Sequence, residues 1–227
     1  MNRIIGSIMV VVLLCIAAVI YWESPPHPTV NTSGSAEINS AKLIPELQRG
    51  DGPNLLASFQ DFTNPAWVHD GITLTPNAAA SPDGTTDAAR MTETGGDGFH
   101  RLALVVPGVK AAGVFTLSIF VKPAERHSLQ FEMTEAEGHY GLAQFDLAKK
   151  RVTSEARDVQ DAGLQELPDG WFRCWAVMPY KTPLPAFDIA FLNDTSLVEY
   201  KGSDEQGFLI WGPQFEAANE VRGYSAK

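Results

Sequence analysis

The sequence predicts an all-β domain, a sandwich or barrel, and three observations carry that expectation. Short apolar or alternating runs recur from Asn54 onward, turn-forming residues punctuate them, and no long helical period appears there. The punctuation is Pro82-Asp83-Gly84, Gly95-Gly96-Asp97-Gly98, Pro107-Gly108, Pro168-Asp169-Gly170 and Lys201-Gly202-Ser203. Gly supplies left-handed backbone at such places, and Asp bonds its own turn.

Strands are expected at Leu55–Phe59, Ile72–Pro76, Ala88–Thr92, Phe99–Val106, Val114–Lys122, Ser128–Thr134, Tyr140–Leu147, Trp171–Met178, Phe187–Asn193 and Phe208–Glu216. The middle ones alternate clearly. Phe115, Leu117, Ile119 and Val121 share one face, with Thr116, Ser118 and Phe120 opposite. Leu129, Phe131 and Met133 oppose Ser128, Gln130 and Glu132. Ala143, Phe145 and Leu147 oppose Tyr140, Leu142, Gln144 and Asp146. In the strand after Gly170, Phe172, Cys174, Ala176 and Met178 make an apolar face, leaving Trp171, Arg173, Trp175 and Val177 on the other. Phe187, Ile189 and Phe191 oppose Asp188, Ala190 and Leu192.

Ahead of this domain, residues 1–22 form an apolar run with one early basic residue, Arg3, and an aromatic pair, Tyr21-Trp22, at its end. The uncharged stretch from Ile4 to Tyr21 is near the minimum span of a bilayer helix, roughly 17–25 residues, and Arg3 favours a cytoplasmic N-terminus. The expectation is a single transmembrane signal anchor in the inner membrane, with the C-terminal domain on the periplasmic or extracellular side. A cleaved signal peptide ending near Ala18 is the competing reading, but the apolar run continues beyond that point through Trp22. Residues 23–53 are rich in Pro, Ser, Asn and Gly and read as a flexible linker. The domain organisation is therefore anchor (1–22), linker (23–53) and β-domain (54–227).

Bulk charge narrows the function. The net charge is −10, from 27 acidic against 17 basic side chains, which repels phosphate backbones and argues against nucleic acid. The two cysteines, Cys15 and Cys174, offer no metal spacing and no plausible intramolecular disulfide.

The series "NLLASFQDFTNPAW", "ASPDGTTDAARMTE", "FHRLALVV", "FTLSIFVKPAER", "FDLA", "DGWFRC" and "FLIWGPQFE" resembles a bacterial and phage group. These are jelly-roll, carbohydrate-binding-module-like domains of phage tail, virion and secreted bacterial proteins. The resemblance runs from Asn54 to about Tyr224. It implies a two-sheet antiparallel β-sandwich, a jelly roll, and by association glycan binding or virion assembly. The membrane anchor departs from the phage context and favours display outside the cytoplasmic membrane.

If the alternating strands share one sheet, their second faces combine into a surface of Gln130, Glu132, Tyr140, Gln144, Asp146, Trp171, Arg173, Trp175 and Asp188. Aromatic faces take the C–H side of a pyranose, while amides, carboxylates and Arg bond hydroxyls directionally. The expected ligand is a polysaccharide or other glycan. The alternative places Trp171 as a plug after its turn and pairs Arg173 across strands with Asp146 or Glu132. His100 reads as a hydrogen-bonded structural side chain.

No catalytic residue is expected. Glu132, Glu135 and Glu137 invite a glycosidase reading, but the one-strand arrangement of carboxylates that would carry it is missing, and no Gly-x-Ser-x-Gly or His-Glu-x-x-His occurs. No organic cofactor is expected. Oxygen-rich turns leave room for a structural calcium ion, with Asp61 and Glu216, near the two ends of the domain, as its nominated ligands. Three classes stay open: a tethered glycan-binding module, a structural or adhesive protein-interaction domain of the cell envelope, and a polysaccharide-acting enzyme.

Overall fold

In the computed structural model, residues 53–106, 108–109, 111–134, 140–181 and 185–225 are described. The expected anchor, and all but the last residue of the expected linker, lie outside them, as do Glu135 and Glu137. Among the described residues no helix is long and apolar enough to cross a membrane.

The described strands are β1 (Val68–Asp70), β2 (Ile72–Ala79), β3 (Ala88–Glu93), β4 (Asp97–Phe99), β5 (Arg101–Val105), β6 (Gly113–Pro123) and β7 (Ser128–Thr134). They continue with β8 (Tyr140–Asp146), β9 (Arg151–Arg157), β10 (Asp161–Glu166), β11 (Phe172–Tyr180), β12 (Ala186–Phe191), β13 (Glu199–Lys201) and β14 (Gly207–Glu216). One antiparallel sheet has the order β1-β5-β12-β7-β8-β9 and the other β10-β11-β6-β14-β3-β2; β13 and β4 make a small ribbon. The chain changes sheet between β1 and β2, β5 and β6, β6 and β7, β9 and β10, and β11 and β12, and it crosses through the ribbon from β3 to β5 and from β12 to β14. These crossings make a jelly-roll-like sandwich, as the sequence predicts.

The alternation explains the core. From the first sheet come Leu102, Leu104, Leu129, Phe131, Met133, Ala143, Phe145, Phe187, Ile189 and Phe191; from the second, Phe115, Leu117, Ile119, Val121, Phe172, Cys174, Ala176, Met178, Phe208, Ile210 and Phe215. They pack as one apolar layer. Phe191 stacks on Phe208 at 4.9 Å and Phe187 on Phe215 at 5.9 Å, linking the two sheets.

Strand β14 carries an irregularity that matters for the site. Phe208 and Ile210 point inward, and Trp211 points outward opposite Phe120. Gly212 then takes φ 59, and the register shifts before Gln214. The shift sends Phe215 inward and leaves Gln214 and Glu216 on the outer face. A Cβ at Gly212 would come within 3.0 Å of Phe120 and Tyr224, so both its space and its backbone favour Gly.

Two expectations need correction. Leu55–Phe59 is not a strand: Ala57–Phe59 forms a 3-10 turn. Asn54 Oδ1 accepts from Leu56 N at 2.9 Å and Phe215 N at 3.2 Å, and this side-chain bonding competes with a ladder. Phe99–Val106 is interrupted at His100, whose ring nitrogens lie 2.8 and 3.1 Å from the carbonyl oxygens of Gly71 and Tyr200. That anchorage fits its structural reading. Strands β1, β9, β10 and β13 had no counterpart in the sequence expectation; they are short or polar, and β9 and β10 are sheet edges.

Candidate ligand-binding face

The nine candidate residues do not share one surface. Strand β11 pairs with β6 and β10 in the second sheet, whereas β7, β8 and β12 belong to the first. Trp171, Arg173 and Trp175 therefore lie with the second sheet's outer face, and Gln130, Glu132, Tyr140, Gln144, Asp146 and Asp188 lie on the first sheet's outer face. The combined platform is overturned because both sheets impose the same two-residue period. Alternation tells inward from outward but not which sheet a strand joins.

The second sheet's outer face is covered by the chain itself. Thr116 Oγ1 donates to the carbonyls of Ala218 (3.0 Å) and Glu220 (3.2 Å), and Gln214 Nε2 donates to that of Gly223 at 3.2 Å. Ser225 N returns a bond to Gln214 Oε1 at 2.8 Å, and Tyr224 OH donates to Gln60 Oε1 at 2.8 Å. Asn54 Nδ2 holds the carbonyl of Ser225 at 3.0 Å. This C-terminal strap thus joins both ends of the domain across β6, β11 and β14.

Arg173 lies beneath the strap, only 4% exposed. It donates to the Arg222 carbonyl at 2.6 Å and to Ser118 Oγ at 3.0 Å, and its guanidinium sits 5.4 Å from the Phe120 ring centre. Burial lowers its pKa to about 10, with the negative charge of Glu216 opposing. It pairs with neither Asp146 nor Glu132, which lie on the other sheet. Trp171, 2% exposed, packs in a small cluster with Ala88, Phe120, Leu167, Trp211 and Tyr224. Both side chains are buried within the domain rather than presented on its surface. Trp175 is half-buried: its indole lies against Gly163, where a Cβ would be 2.2 Å from Cζ2, and Nε1 donates to Asp161 Oδ2 at 3.2 Å.

The first sheet's outer face is different. The register forms two rows across its strands. One runs Asp70, Arg101, Ala190, Gln130, Gln144, Ser154; the next runs Val68, Ala103, Asp188, Glu132, Leu142, Ala156. Five strand spacings make each row about 24 Å long. Ala at 103, 156 and 190 keeps the surface low between the polar groups. Arg101 Nε donates to Asp70 at 3.1 Å, Arg101 Nη1 to Asp188 at 3.3 Å, and Gln144 Nε2 to Gln130 Oε1 at 2.9 Å. Tyr140 OH accepts from Arg157 Nε at 3.0 Å, and the guanidinium stands 5.0 Å from its ring centre. Asp70, Arg101, Glu132, Tyr140 and Gln144 all retain partial exposure.

Electrostatically the centre of this face is a carboxyl pair. Asp188 and Glu132 are direct cross-strand partners. Burial, reinforced by Glu132, pushes the Asp188 carboxyl up to about 8 against the pull of Arg101. Burial also raises Glu132, again opposed by Arg101. Asp146 behaves oppositely: burial raises it, but bonds from the Lys149 ammonium and backbone N–H, each at 2.9 Å, hold it below its ordinary value. Glu132 makes no hydrogen bond with another described side chain, so its oxygens are available to a ligand.

The nominated calcium ligands are occupied separately. Asp61 Oδ1 accepts from Thr63 N at 2.8 Å and Thr63 Oγ1 at 2.7 Å. Glu216 Oε1 accepts from Gln214 Nε2 at 3.1 Å and Arg222 N at 3.2 Å, under the strap. Among the described residues no group of three or more His, Cys, Asp and Glu could hold a metal ion. Sequence reasoning missed Asp70 and Arg101. In "FHRLALVV" the histidine is the conspicuous residue, although alternation from Leu102 and Leu104 places Arg101 outward.

No family model and no curated protein matches this chain. Solved structures give distant similarities. The xylan-binding CBM22-1 domain of Paenibacillus barcinonensis Xyn10C is 14% identical, covering 76% of this chain and 99% of its own, at TM-score 0.45. TmCBM61, solved with β-1,4-galactotriose, is 11% identical, with coverages of 75% and 100% and TM-score 0.42. The enzymatically active domain of bacteriophage CBA120 tailspike protein 4 is 10% identical, covering 74% of this chain but 21% of its own, at TM-score 0.42. At these scores the sandwich rests on its own register and core.

Proposed function

We propose that the chain is a non-catalytic glycan-binding module, held by an N-terminal membrane anchor and displayed outside the cytoplasmic membrane. The observation that carries the reading is the pair of polar rows on the first sheet's outer face. Amide, carboxyl and guanidinium groups recur there at strand spacing with small residues between them, and the strap described above covers the other sheet instead. Directional donors and acceptors on a low surface suit a chain of hydroxyl-bearing units.

Purified full-length protein should retain a member of a neutral-oligosaccharide panel in calorimetry, with no release of reducing ends. Gln144→Ala should weaken that binding about tenfold, the loss of roughly 1.4 kcal/mol. Trp175→Ala, on the opposite sheet, should leave affinity unchanged. The reverse pattern would return the site to the second sheet, and failure of every glycan to bind would remove the reading. The protein-interaction alternative has one observation in its favour. Val68 and Val105, 55% and 41% exposed, lie at one end of the same face and offer an apolar anchor.

A further inference from the structure

The ligand class of this face can be narrowed, on the footing that it binds glycan. We propose that Glu132 and Asp188 restrict it to glycans without acidic groups, acting as specificity residues rather than as simple hydroxyl contacts. The argument starts from register. Asp188 stands opposite Glu132 on β7 and Ala103 on β5, in the middle of its row. Opposed residues in an antiparallel ladder have Cα atoms about 4.5–5.5 Å apart. Two carboxyl groups therefore share the centre of the surface.

The charged groups around them are few. From β1 comes Asp70 and from β5 Arg101; β8 and β9 contribute Leu142, Gln144, Ser154 and Ala156 to these rows, all uncharged. Arg101 is already committed. Its Nε bonds Asp70, its Nη1 bonds Asp188, and its guanidinium lies 4.3 Å from the Phe99 ring centre. Further out, Arg157 is engaged by Tyr140 and Lys149 by Asp146, while Arg151, opposite Asp146 on the edge strand β9, lies outside both rows. A uronate entering the centre would meet Glu132 and Asp188 with no uncommitted cation in either row.

A neutral sugar meets better chemistry. Its hydroxyls donate to the Glu132 oxygens, while the Gln144 amide and the proton held by Asp188 below about pH 8 supply donors. Asp188 is 7% exposed and bonds Arg101 through Oδ2, directly beside the part-exposed Glu132. The carboxyl pair then divides the work: ionised Glu132 accepts from hydroxyls and repels anions, while protonated Asp188 donates to hydroxyls and offers an anion no positive charge. Specificity of this kind comes from the repulsive element as much as from the attractive one.

The test compares cellohexaose, xylohexaose and a β-1,4-galactan oligomer with an oligogalacturonate of equal length, on full-length protein at low salt. The wild-type chain should bind at least one neutral oligomer, with the oligogalacturonate about tenfold weaker or worse. The double variant Glu132→Gln, Asp188→Asn keeps side-chain size and removes the charge. It should narrow that ratio to about threefold or less, with a single cooperative melting transition at pH 6, no lower than the wild type's, showing that the fold is intact. Equal wild-type affinity for the acidic oligomer, or an unaltered ratio in the variant, overturns the specificity role while leaving glycan binding standing. Absence of binding to every oligomer, neutral and acidic, overturns the glycan reading itself.

Discussion

Removing the Arg173 side chain tests the covered face most directly. Arg173→Ala deletes the donors to the Arg222 carbonyl (2.6 Å) and Ser118 Oγ (3.0 Å), together with the cation over Phe120. It also strips Glu216, 2% exposed, of the positive charge beside it. Arg173 and Glu216 form no direct ion pair, yet removing one of two opposite buried charges that lie near each other costs up to about 3–5 kcal/mol, because the other stays in a low-dielectric place. For a domain of this size class each kcal/mol moves Tm by about 2–4 °C, so the melting point should fall by roughly 6–20 °C. Urea unfolding of the full-length chain measures it, with a lowered midpoint and an unchanged m-value. Arg173 Nε and Glu216 Oε2 are buried with no hydrogen-bond partner among the described residues, so part of the cost of burying these charges is already present in the wild type. Arg173→Met combined with Glu216→Gln should therefore be more stable than Arg173→Ala alone. A loss below about 0.5 kcal/mol, the range of ordinary surface substitutions, would show that the strap does not bury this residue.

Three further changes have defined outcomes. Gly163→Val places a Cβ where the Trp175 ring lies, 2.2 Å from Cζ2, so the indole must leave β10; altered tryptophan emission with a loss of about 1–3 kcal/mol is expected, and an unchanged spectrum would refute the packing. Asp188 has a folded pKa of about 8 against an ordinary 3.8, so its contribution is full below about pH 4 and is lost as pH rises towards 8. Asp188→Asn should flatten the fall in Tm across that window, and an identical slope in wild type and variant would contradict the shift. Glu93 is fully buried and accepts from Arg126 (2.9 and 3.1 Å) and from Ser203 N (2.8 Å), so Glu93→Ala should cost about 3–5 kcal/mol; a change under 1 kcal/mol in denaturant titration would remove it as the anchor of that corner.

The core of the sandwich was legible because it depends on local alternation. Phe115 to Val121, Leu129 to Met133 and Phe172 to Met178 each declare an inward face within a few residues, and the structure keeps those faces. What alternation cannot carry is partnership. Strand β11 reads the same whether its neighbour is β6 or β12, so Arg173 could be assigned outward but not to a sheet. Polar edges are silent for a related reason: β9, with Thr153, Ser154 and Glu155 exposed in a row, has no buried face to impose a period.

The site itself is decided by a contact distant in sequence. Arg101 and Arg173 are both outward-facing arginines on β-strands, and nothing near either one distinguishes them. Their fates diverge because residues 217–225 return across β6, β11 and β14, where Thr116, Gln214 and Asn54 hold the strap's backbone. The bulge at Gly212 is the precondition, since without the register shift Gln214 and Glu216 would point into the apolar layer. A glycine that looks like a weak point in a strand therefore sets which polar groups the second sheet offers the strap. The strap, in turn, leaves the first sheet's outer face, with Asp70, Arg101, Glu132 and Asp188, as the polar surface a ligand can reach.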